Sequence, residues 1–143
     1  EKNGINGGSY RIFARHYQKG SIKFEEKKYG VRELKDFFKK IENNKKKMIK
    51  FLEKGYNVVG YGASTKANTI LQYYQLGAFE VVDINPKKKG KWMIGSWSEV
   101  IDKIPPKTEY LWVFPYGFLN YFKKKEKTYK GKWVTTIPNF KII

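Results

Sequence analysis

The chain has 143 residues, enough for one domain with its own core and too few for two comfortable ones. Its 41% hydrophobic and 17% aromatic content exclude a disordered chain despite a net charge of +17. The absence of cysteine excludes a disulfide scaffold and a thiolate metal site, and no apolar run approaches the length of a membrane span.

No membrane partner and no signal peptide are therefore expected, and the cytoplasm suits the chain. Its first residue is Glu1 rather than Met, so it reads as a processed product or a piece of a longer protein. A basic surface attracts nucleic acid, acidic membrane or phosphorylated small molecules. Only Arg11, Arg15 and Arg32 carry the guanidinium fork that base and phosphate recognition favours. The lysines read better as solvated faces, so a nucleic-acid module is kept only as a minor alternative.

Residues 1–8 are glycine-rich and turn-like, and Ser9 to Ala14 alternates as a strand does. Residues 17–30 are polar and irregular. From Val31 to Glu53 apolar residues recur at three- and four-residue steps (Val31, Leu34, Phe37, Phe38, Ile41, Met48, Ile49, Leu52), which predicts an amphipathic helix stopped at Gly55. Asn57 to Gly60 is β-branched and predicts a strand. Thr65 to Leu76 predicts a helix ended by Gly77, and Phe79 to Val82 a strand closed by Asp83. A basic loop follows over 84–91. Ser96 or Ser98 is expected to cap a short helix through Ile101, broken by Pro105-Pro106. Tyr110 to Phe114 is continuously apolar, as in a strand buried on both faces. Phe118 to Lys125 predicts a helix, and Trp133 to Ile137 a last strand ending at Pro138. Strands alternating with helices predict an α/β, Rossmann-like fold: a mostly parallel sheet of about five strands with helices on both faces.

The most informative stretch is Asn57 to Thr69, a strand, a glycine turn and a helix start. Outward amide N–H groups and the helix dipole make such a corner a cradle for phosphate. Gly60 and Gly62 fit the first two glycines of a dinucleotide fingerprint, but the third position is Thr65. Asp83 stands 21 residues after Gly62, where a carboxylate holds the ribose of NAD or merely closes a strand. Ser64 is a good N-cap. Lys66 either reaches an anion held at the turn or is one more surface lysine. GxxxxGK[ST] is absent, so this is not a P-loop. Asn57 before the turn does not fit a site for S-adenosylmethionine. His16 is the only histidine, which leaves no triad and no common zinc site. Trp112 and Trp133 read as core, while Trp92 and Trp97 are candidates to line a pocket.

Three segments, Asn6 to Arg11 (NGGSYR), Gly60 to Thr69 (GYGASTKANT) and Val81 to Ser96 (VVDINPKKKGKWMIGS), together resemble the C-terminal domain of the sugar C-methyltransferase family. The resemblance runs from about residue 6 to the end. It implies an enzyme that uses S-adenosylmethionine to methylate a carbon of a nucleotide-linked keto sugar. It also implies a zinc-binding module and a donor-binding domain upstream, with the catalytic acid–base residues ahead of the NGGS segment and none in this chain. Residues 1–16 would be a lead-in from the preceding domain and 17–143 the Rossmann-like domain that binds the nucleotide-diphospho-sugar. By matched position the resemblance places Gly60, Tyr61, Gly62, Ala63, Ser64, Lys66, Asn68 and Thr69 in the pocket, with Asp83, Asn85, Pro86, Lys88 and Gly90 from the later motif. Two departures, Ile94-Gly95-Ser96 and Pro115-Tyr116-Gly117, sit near the expected sugar side. The domain alone is expected to bind and not to methylate. A stand-alone NAD(H)-binding domain is the alternative.

Overall fold

A computed structural model of the chain describes Lys2–Asn3, Ser9–Tyr10, His16 and residues 28–143. The expected strand over Ser9 to Ala14 lies outside the described residues except for Ser9–Tyr10 (β2), which pairs antiparallel with Lys2–Asn3 (β1). The NGGSYR segment lies mostly outside them too, as does most of the irregular stretch before residue 28.

Helix α1 spans Val31–Leu52. Its apolar stripe runs the whole length, but only the C-terminal half is buried, where Met48 and Phe51 enter the core. Val31, Leu34, Phe37 and Phe38 remain exposed. Asn44 fixes the buried half. Its amide donates to the Pro138 carbonyl and its Oδ1 accepts from Phe140 N–H, each at 3.1 Å. Gly55, at φ +76°, turns the chain out of the helix.

The strands Val58–Tyr61 (β3), Val81–Val82 (β4), Trp92–Met93 (β5), Ser98–Ile101 (β6), Tyr110–Val113 (β7), Lys132–Thr135 (β8) and Lys141–Ile142 (β9) form one sheet in the order β5-β6-β4-β3-β7-β8-β9. Pairings β6-β4, β4-β3, β3-β7 and β7-β8 are parallel; those of β5 and β9 at the two edges are antiparallel. The fold is thus α/β with a mixed seven-stranded sheet, wider than the five mostly parallel strands expected. Both extra strands have two residues, too few to show a period in sequence.

Side chains alternate across the sheet, as the pleat requires. Val81, Trp112, Phe114 and Val134 face α1 and α2 (Thr65–Tyr74), which contributes Ala67, Ile70, Leu71 and Tyr74. Val59, Tyr61, Val82, Leu111, Val113 and Trp133 face the other way, under Phe122 of α3 (Leu119–Lys125). Trp112 and Trp133 are core residues, as expected. The Trp112 indole N–H is satisfied by Thr136 Oγ1 at 3.2 Å, as a buried donor must be.

Three local expectations are corrected. The helix expected through Ile101 is strand β6, with alternating burial, because Ser98 and Val100 turn inward and pair with β4 and β5. Its serines are not caps: Ser96 Oγ donates to Ser98 Oγ at 3.0 Å, and Ser98 Oγ accepts from Phe79 N–H at 3.2 Å. Helix α2 closes on Gln75 at φ +59°, ahead of Gly77. The strand ahead of Pro138 is not the last one: the chain reverses there and returns as β9.

Candidate functional site

Strand β3 is central. Its connection through α2 leads to β4 on one side, while β7 on its other side leads through α3 to β8. The two connections leave in opposite directions, so a crevice opens beyond the C-terminal ends of β3 and β7. The loops 62–64 and 114–118 border it, and the loop after β4 closes it.

Gly62 makes the corner. Its φ is +90°, and a Cβ there would lie 2.6 Å from the Pro115 ring. Only glycine meets both demands. Gly60 is glycine for another reason. It lies within the sheet, where a Cβ would stand 2.6 Å from the Phe114 ring and 2.9 Å from Val81. Ser64 caps α2 as expected, its Oγ accepting from Ala67 N–H at 3.3 Å. The opening amides of the helix point toward the crevice end. Lys66 directs its ammonium over the Tyr116 ring, 5.2 Å from the centroid, and so spans from α2 to the loop after β7.

Asp83 is nearly buried, and its carboxylate is engaged on both oxygens. Oδ1 accepts from Asn85 N–H at 2.8 Å, and Oδ2 pairs with Lys88 Nζ at 2.8 Å. Lys88 Nζ also donates to the Ala63 carbonyl at 2.6 Å. Asn85 Oδ1 accepts from Lys87 N–H at 3.1 Å and starts the 3-10 turn Pro86–Lys88. Gly90, at φ +70°, turns the loop into β5.

Two hollows flank this corner. One, of about 290 Å³, lies toward α3 between Tyr61, Gly62, Asp83 and Ile84 on one side and Pro115, Phe118, Tyr121 and Phe122 on the other. The second, of about 360 Å³, lies between the start of α2 (Ala63, Thr65, Asn68) and the edge hairpin (Lys91, Trp92, Met93, Ile94). Ser64 and Lys88 belong to both.

Residues 4–138 match the model of the C-methyltransferase C-terminal domain family. The chain belongs to this family. No curated protein matches it.

In this C-methyltransferase C-terminal domain, Tyr61, Gly62, Ala63, Ser64, Asn68, Asp83 and Lys88 wall the hollows, while Lys66 lines neither and lies over Tyr116. Gly60, Thr69, Asn85, Pro86 and Gly90 line neither. Thr69 Oγ1 donates back to the Thr65 carbonyl at 3.0 Å. Tyr61 has no exposed surface, and its hydroxyl donates to Glu126 Oε1 at 2.5 Å on the α3 side. Burial, reinforced by that bond, pushes its pKa well above the usual tyrosine value. Of the two tryptophans singled out, Trp92 lines a hollow and Trp97 stands exposed beside it. Pro115, expected near the sugar, does line a hollow, whereas sequence reading missed Ile84, Phe118 and Tyr121. The signal was present: the loop after a strand flanking the glycine-turn strand belongs to the same crevice.

A larger hollow of about 480 Å³ lies elsewhere, among Val82, Ile104, Pro105, Thr108, Glu126 and Tyr129, and none of the candidate site residues lines it. Among the described residues no group of carboxylates and histidines is placed to hold a metal, and no helix is long and apolar enough to cross a membrane.

Proposed function

We propose that this domain binds the nucleotide-diphospho-sugar substrate of a sugar C-methyltransferase, with the diphosphate at the corner from Gly62 to Ser64. Upstream domains of the same protein would supply the methyl donor, zinc and the catalytic groups, so the domain alone binds without methylating. The five parallel strands at the heart of the sheet support a Rossmann-like reading, because that order puts a nucleotide crevice at this place. The observation that carries the proposal is that two hollows of ligand size meet at Ser64 and Lys88, at the mouth of a capped helix. A cytoplasmic setting fits a chain without cysteine.

The alternative, a stand-alone NAD(H) domain, needs the Asp83 carboxylate for a ribose. Asn85 and Lys88 already occupy that carboxylate, which counts against it. A thermal-shift series on this chain tests the choice. A ligand at 100 times its Kd adds about 2.7 kcal/mol, or roughly 5–10 °C at this size. Shifts of that order are expected with thymidine- or uridine-diphospho-sugars. A clear shift with NAD and none with any nucleotide sugar overturns the reading.

A further inference from the structure

The two hollows differ in chemistry, and the difference orients the ligand. The hollow toward α3 is walled by Ile84, Pro115, Phe118 and Tyr121. Phe118 is 43% and Tyr121 53% exposed, so both rings are reachable from solvent, with the Phe122 ring beside each. Flat aromatic and aliphatic walls suit a nucleobase, whose own faces are apolar and stack. The hollow beside the hairpin keeps apolar walls in Met93, Ile94 and Val100 but adds Thr65, Asn68 and Lys91 around one indole, Trp92, which is 59% exposed. Asn68 Oδ1 is buried and has no hydrogen-bond partner among the described residues. A buried acceptor without a partner costs free energy until a donor reaches it. A hexose provides such donors on its edge and a C–H face for the indole.

The hairpin wall is held in place. Gln72 of α2 donates to the Ile94 carbonyl at 3.1 Å, and a Cβ on Gly95 would strike the same Gln72 side chain at 2.5 Å. Ser64 and Lys88, common to both hollows, mark where a bridging diphosphate crosses.

Building on the nucleotide-sugar reading, we propose that the base lies between Ile84 and the Phe118 and Tyr121 rings. The sugar lies on Trp92, with Asn68 and Lys91 reading its hydroxyls. The Pro115-Tyr116-Gly117 step then flanks the base rather than the sugar expected from sequence, while Ile94 stays on the sugar side.

Calorimetric titration of the chain with thymidine diphosphate and thymidine-diphosphoglucose, and with the uridine pair, tests the orientation. Phe118→Ala and Tyr121→Ala should weaken both members of the binding pair about tenfold, the usual size of one lost stacking contact. Trp92→Ala and Asn68→Ala should weaken only the sugar-bearing ligand by a similar factor and leave the diphosphate within twofold. Trp92, Phe118 and Tyr121 are exposed, so their variants keep the fold, and circular dichroism checks this. The reverse pattern, or equal losses for both ligands in all four variants, overturns the orientation while leaving nucleotide-sugar binding intact. Failure of the wild-type chain to bind any of the four ligands overturns the underlying reading as well.

Discussion

Lys88 and Asp83 form an ion pair at 2.8 Å in which the lysine also holds the Ala63 carbonyl at 2.6 Å. One ammonium therefore ties the loop after β4 both to the end of its own strand and to the corner after β3. The residue that a charge count would assign to phosphate works first as a brace for the crevice.

The brace predicts coupling. Lys88→Met and Asp83→Asn should each lower stability by about 1–2 kcal/mol, because the lysine side chain is partly solvated while the carboxylate is nearly buried. Combined, they should cost little more than either alone, giving a coupling energy of about 1 kcal/mol in a urea-denaturation cycle. Strict additivity would mean that the pair contributes nothing as a pair.

The two motif glycines should fail differently. Gly62→Ala meets both a left-handed backbone and the Pro115 ring, and should cost about 1–3 kcal/mol. Pro115→Ala in the same chain should recover only part of that, since the φ of +90° remains. Gly60→Ala meets only side chains, Phe114 and Val81. Phe114→Leu should therefore relieve much of the Gly60→Ala loss, and matched melting curves of the single and double variants compare the two rescues.

Much of this arrangement was legible in sequence, for identifiable reasons. The corner at Gly60 to Ser64 was readable because a β-branched strand, two glycines and a capping serine are all local signals. Strand β6 was misread as a helix because two serines resemble caps when their partners, Phe79 and each other, are not yet known. The Asp83–Lys88 pair was not legible because the turn that brings Lys88 back onto the carboxylate leaves no periodic trace. Phe118 and Tyr121 lie more than 50 residues beyond Gly62, and only the parallel pairing of β3 with β7 brings them to it. The exposed half of α1 carries the same stripe as the buried half, so periodicity gave no warning that Leu34 and Phe38 would stay uncovered.

Lys66 offers a test of the anion itself. Its ammonium lies over Tyr116 at the open side of the corner. Lys66→Ala should weaken nucleoside diphosphate binding about tenfold, the size of a charge-assisted hydrogen bond, and leave the bare nucleoside nearly unchanged. Titrating both ligands into both proteins measures the difference. Equal losses would remove Lys66 from the phosphate.

Alkaline pH should reveal two tyrosines that the fold keeps protonated, the buried Tyr61 and the half-buried Tyr129. Burial raises the pKa of Tyr61, with the Glu126 bond adding to it, and burial likewise raises that of Tyr129. A tyrosine whose pKa is higher folded than unfolded contributes its full stability below the unfolded value of 10.0. Above that pH the unfolded chain releases the proton and the folded chain keeps it. Each such tyrosine then removes about 1.4 kcal/mol of stability per pH unit. Urea midpoints should therefore fall steeply between about pH 10 and pH 11.5. Lysines titrate over the same range, so the informative comparison is with Tyr61→Phe. At pH 8 that variant should be less stable by about 1 kcal/mol for the lost bond to Glu126. Above pH 10 its curve should be shallower by one proton, so the two proteins converge as alkali rises. Since the Tyr61 hydroxyl is fully buried and already bonded to Glu126, the same variant should bind nucleotide sugar within twofold of wild type. Parallel pH curves would show that Tyr61 is not held protonated, and a tenfold loss of affinity would show that its hydroxyl reaches the ligand after all.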